Sequence, residues 1–174
     1  MRPSCLSLIG KKTQMAGAFQ KKLSDFIGSF REAHPEILQA RAFLLSFLLM
    51  DYLFGTPENP EKIIGQINTH AKELDVSLPH DWEKQRNIGF EERGEAANKI
   101  FGLLSGQIVA KGSVFIPYFE AGGNLLIDAV KGEGQNFKKF LNKLNIAESQ
   151  WTYGNTPLDQ LNSIVQYFNE IIRQ

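Results

Sequence analysis

PEILQARAFLLSFLLMDYLF, residues 35 to 54, decides how this chain folds. Pro35 suits a first helical turn, where a missing N–H costs nothing, and Gly55 closes the stretch behind Phe54. Between them apolar residues fall on nearly every side of a 3.6-residue period. A helix of that kind needs cover all round, so it is expected to be the central one. Arg41 and Asp51 close off the apolar run 42–50, and a membrane span needs about 18 or more consecutive apolar residues. If both charges are buried they must be paired or hydrogen-bonded. They mark either the rim of the helix or a ligand pocket.

Helical spacing continues on both sides. Phe19, Leu23, Phe26, Ile27 and Phe30 follow the i, i+4, i+7, i+8, i+11 rule of one helical face. Asn59-Pro60-Glu61 has the cap, proline and acidic residue of a helix start, and Ile63, Ile64, Ile67, Ala71 and Leu74 give its stripe. His70 lies beside that stripe and is expected at the surface or its boundary. VSLPHDWEKQRNIG is turn-like, with a short helix around Trp82. Helical spacing resumes from Glu91 through Ala97, Ile100, Phe101, Leu104 and Ile108. Phe137, Phe140, Leu141 and Leu144 mark a short amphipathic helix, and Thr156-Pro157 opens a last one with Leu158, Leu161, Ile164, Val165, Phe168, Ile171 and Ile172 inward. The expected fold is all-α: six to seven helices in one compact domain, residues 15–174, behind a flexible leader, residues 1–14. Met15 is an alternative translation start.

KGSVFIPYFEAGG, residues 111 to 123, joins two of these helices. Pro117 would clash with the carbonyl of Ser113 in an unbroken helix. Gly112 therefore reads as the residue past a helix at 91–111, and Pro117 as the first turn of a helix at 117–131, the pair being kinked or folded back as a hairpin. Ile116, ahead of a proline, is expected to be extended. A β-hairpin from QIVA and SVFIPYF is the local alternative, since those residues are β-formers. Glu120, Asn124 and Asp128 form an i, i+4, i+8 polar row opposite Phe119, Leu126 and Val130.

Lysine plus arginine and aspartate plus glutamate number 19 each in 174 residues, so no global field draws in nucleic acid. Cys5 is the only cysteine, which fits a reducing, cytoplasmic setting and rules out an internal disulfide. Glu91, Glu92 and Glu95 read as an acidic first turn favoured by the helix dipole, because no histidine follows a glutamate at the spacing a carboxylate-bridged metal site uses. His34, His70 and His80 stand apart, and no nucleophile elbow, P-loop or dinucleotide fingerprint occurs. No catalytic residue and no metal site is assigned. Gly102 and Gly106, four apart, offer a small-residue face for close approach. Lys138, Lys139 and Lys143 surround the stripe of QNFKKFLNKLN, a basic amphipathic pattern that can lie on an anionic membrane.

IVAKGS, residues 108–113, followed by GEGQNFKKFLNKL, residues 132–144, and a terminal amphipathic helix resembles the second half of bacterial haem oxygenases over roughly a third of the chain. That resemblance implies a haem pocket with His34 as proximal ligand. YFEAGG, residues 118–123, resembles part of the central helix of the Bcl-2 family, with Val114 where that family carries an arginine.

A Val-Phe-Ile run in a connection is either buried or reserved for contact. The expected function is therefore non-enzymatic binding of a partner protein through an apolar helical surface including residues 112–119, namely Val114, Phe115, Ile116, Tyr118 and Phe119. The alternatives are a helical pocket for an apolar or planar ligand such as haem, drawing on His34, Arg41, Asp51, Gly102 and Gly106, and peripheral association with a membrane surface.

Overall fold

A computed structural model of the chain describes residues 35–132, 138–140, 142 and 156–173. The expected leader, the stripe Phe19–Phe30, His34, Phe137, Leu141, Lys143 and Leu144 lie outside the described residues. Five long helices follow in order: α1, Pro35–Phe54; α2, Pro60–Glu73; α3, Phe90–Lys111; α4, Ile116–Val130; and α5, Pro157–Arg173. Short 3-10 turns at Trp82–Asn87 and Ser113–Phe115 sit before and after α3. No strand occurs among the described residues, and the fold is all-α. The residues of the alternative β-hairpin are helical.

Local chemistry sets the boundaries. The Asn59 side chain accepts the Lys62 amide at 3.2 Å, with Pro60 in the first turn of α2. Thr156 Oγ1 likewise accepts the Asp159 amide at 3.1 Å at the start of α5. At the end of α3 the Gly112 amide donates to the carbonyls of Ile108 and Val109, with Gly112 at φ +154°. Only glycine takes that conformation without strain, so the helix stops there. Ile116 departs from expectation: it is not extended but helical, at φ −62° and ψ −44°. The 3-10 turn supplies the reason, because the Phe115 amide donates to Gly112 and the Ile116 amide to Ser113. These bonds offset the pre-proline crowding, and Pro117 occupies the first turn of α4.

α1 touches every other long helix, and none of its residues is in the exposed class. Its length and composition are those of a membrane-crossing helix, yet most of it is buried within this fold. One side belongs to a core of Leu45, Leu49, Leu53, Ile67, Ala71, Trp82, Ile100 and Leu104 beneath α2 and α3. The other belongs to a core centred on Phe43, whose ring lies 4.7 Å from Phe168 and 5.6 Å from Phe140. Gly122 is where α4 comes closest to α1. A Cβ there would meet Ser46 Oγ, the Phe43 carbonyl and, at 2.9 Å, the Phe47 amide nitrogen.

The last turn of α1 has no basic residue of its own. Two arginines supply that charge from elsewhere in the chain. Arg86 Nε donates to the Tyr52 carbonyl at 2.8 Å, and Arg93 Nη1 donates to the Leu53 carbonyl at 3.1 Å while its Nη2 bonds Ile88 at 3.0 Å. Carbonyls that a helix end leaves orphaned are thus satisfied by cations that also oppose its dipole. Arg93 Nε is buried without a partner among the described residues.

Candidate functional site

α4 runs alongside α1 in the same direction, Gly122 lying against Phe43–Phe47 and Gly123 against Met50. α3 runs the other way. Its Phe101 ring packs 5.7 Å from Phe119, and its first residues reach the far end of α4. The pair is therefore folded back on itself, joined at 112–115 and diverging away from that join. Between the diverging ends lies a groove of about 510 Å³. Met50, Asp51, Phe54 and Gly55 of the α1 end form its floor. Phe90, Ala97 and Phe101 line one wall, and Leu126, Ile127 and Val130 the other.

The groove is apolar and its lips are bare. Phe90 and Val130 are each 76% exposed, and Ile127 is exposed as well. Val130 therefore differs from its expected place on the inward stripe of α4, because α3 has moved away by that turn and none of the described residues covers it. Phe90 leans on Phe54, ring centroids 6.0 Å apart, and the Arg93 guanidinium sits 6.0 Å from the same Phe54 ring. The polar side chains among the lining residues are those of Asp51, Asn98 and Lys131.

Asp51 is the unusual one. It is half-buried, its side chain lies over the Gly55 backbone, and it makes no hydrogen bond or ion pair among the described residues. Burial pushes its carboxyl above the usual carboxylate range, opposed by the charge of Arg86. It also occupies the last turn of α1, where the helix dipole disfavours a negative charge.

The sequence-assigned residues fall in different places. Phe119 is 2% exposed and belongs to the α2–α3 core, with Phe115, Ile116 and Tyr118 half-buried against it, whereas Val114 is 52% exposed at the closed end of the α3–α4 wedge. The five ligand-pocket candidates do not converge. Arg41 and Asp51 are ten residues apart on one helix, and Arg41 turns instead to α2, its Nη1 3.2 Å from His70 Nδ1. Gly102 and Gly106 are exposed, and a Cβ on either would meet nothing within 4 Å. Their expected close packing is absent because the buried face of α3 is the opposite one, through Ala97, Ile100, Leu104 and Ile108. His34 lies outside the described residues. Of the basic helix, Lys138 and Lys139 are exposed and Phe140 is buried.

His70 is 8% exposed, inside the surface or boundary position expected of it beside the stripe. Because a guanidinium only donates, Nδ1 accepts and the ring is neutral, with its proton on Nε2. Burial and then the Arg41 charge lower its pKa to about 4. Glu91, Glu92 and Glu95 are exposed along α3, and no group of three metal-ligating side chains converges among the described residues.

No protein family, curated protein or solved structure matches the chain at a significant level. Functional reading rests on the groove itself.

Proposed function

We propose that the chain is a non-enzymatic, cytoplasmic helical protein that binds a partner protein, and that the α1–α3–α4 groove is where the partner docks. The observation behind this reading is the convergence of bare apolar lips, Phe90, Ile127 and Val130, on one apolar groove, whereas the other exposed large apolar side chains among the described residues, Leu103, Val109, Val114, Leu158 and Tyr167, lie outside its lining. Contiguous exposed apolar surface of this kind is uncommon on a lone soluble protein and marks contact sites. The 112–119 connection serves as the base of the wedge. A groove between helices suits the apolar face of another helix.

A photo-crosslinking amino acid at Ile127 tests the reading in cells, with Val109 on the outer face of α3 as control. A protein adduct formed from position 127, absent from position 109 and lost in Phe90→Ser/Val130→Ser, is the expected result. Equal adducts from both positions, or none from 127, would sink the proposal. The second reading, an apolar or planar ligand, is favoured by the groove volume, which falls in the small-molecule range of roughly 300–1,000 Å³. The groove lining contains no histidine. A haem there would need an axial ligand from elsewhere, and a haemin titration whose Soret shift is lost in Phe90→Ser/Val130→Ser would assign it to the groove, whereas loss in His34→Ala would assign it to that histidine.

A further inference from the structure

We propose that the partner segment is an amphipathic helix of about three turns that carries a lysine or arginine to pair with Asp51. This rests on reading the groove as a docking site and names what docks. The wall from Phe90 to Phe101 spans twelve residues of α3, eleven steps that at 1.5 Å each make about 16 Å, or three helical turns. Three apolar walls made of helices accept a ridge of side chains at i, i+4, i+7 and i+11.

Charge selects within that class. Asp51 breaks two local rules at once: a half-buried carboxylate that makes no hydrogen bond or ion pair among the described residues and is offset only in part by the Arg86 charge, and an anion at the negative end of a helix. Such departures concentrate at sites kept for function. Arg86 is spent on the Tyr52 carbonyl, and Lys131 stands exposed on the opposite wall beyond Val130. A cation delivered by the occupant would satisfy the carboxylate in a setting drained of water, where such bonds are strongest.

The test selects a displayed library of 16-residue helical peptides against the full chain, then measures affinity by fluorescence anisotropy in a double-mutant cycle. Asp51→Asn forms one arm, and replacement of the peptide's cation by norleucine the other. Enriched peptides should carry the apolar spacing plus a lysine or arginine. Asp51→Asn should weaken the cationic peptide about tenfold and leave the norleucine peptide unchanged. Unchanged circular dichroism and urea midpoint of Asp51→Asn show that folding is intact. Tight peptides with no coupling to Asp51 would overturn the charge assignment and leave the docking groove standing. Absence of any groove-dependent peptide would overturn both readings. A concentration-dependent dimer in sedimentation that disappears in Phe90→Ser/Val130→Ser would make a second copy the occupant and overturn this one.

Discussion

Single residues in this molecule are judged by what stands beside them. His70 sits in the α2 stripe, three residues after Ile67 and four before Leu74, and the buried ring keeps its proton only on Nε2. Its pKa of about 4 lies below the usual 6.5, so the unfolded chain binds the extra proton first. The stability this neutral ring contributes is complete above about pH 6.5 and drains away as pH falls toward 4, by up to roughly 3 kcal/mol. Urea unfolding at pH 6.5 and 5.0 should show that slope, and His70→Leu should flatten it. The glycines divide just as sharply. Gly122→Ala would drive a methyl into α1 backbone and should cost roughly 3 kcal/mol. Gly102→Ala and Gly106→Ala, in open space on a helix, should each add about 1 kcal/mol through helix propensity. Thermal melts would read both, and a destabilising Gly106→Ala would mean that something covers this face. Nothing in the G-x-x-x-G spacing distinguishes these cases. The signal for His70 was present, since i+3 from one buried isoleucine is an inward position.

At the scale of elements, helix identity and limits were legible because they depend on neighbours in sequence. Asn59, Pro60, Thr156 and Gly112 act within one turn, and each does what its chemistry dictates. Ile116 shows where that locality ends, since a hydrogen-bonded 3-10 turn overrides the preference imposed by Pro117. The end of α1 was legible only as a stop. Its cap comes from Arg86 and Arg93, more than thirty residues on. Arg93→Ala should destabilise the protein by about 2–3 kcal/mol, through two charge-assisted bonds lost and carbonyls left unpaired. Arg93→Lys should recover little, because one ammonium cannot replace the planar fork that reaches both Leu53 and Ile88. Chemical denaturation of the two variants decides it: full rescue by lysine would make the contribution one of charge alone.

For the molecule as a whole, periodicity assigns faces but cannot say where two helices part. Val130 shares a face with Phe119 and so reads as inward, while Phe90 stands just ahead of the helix expected at 91–111 and takes no face from it. Each is uncovered because α3 and α4 diverge, a property of tertiary geometry. Phe90→Ser/Val130→Ser should therefore leave stability within about 1 kcal/mol while removing the docking surface, a combination a core pair cannot show. Melting temperature and peptide anisotropy on the same sample would separate the two. The join that closes the wedge has leverage over the groove it never touches. Gly112 is the fulcrum of an arm 22 residues long from Phe90, about 33 Å, so a tilt of roughly five degrees there sweeps the lip by about 3 Å. Affinity at the groove would then be tunable from its hinge, by changes that leave every contacting side chain in place.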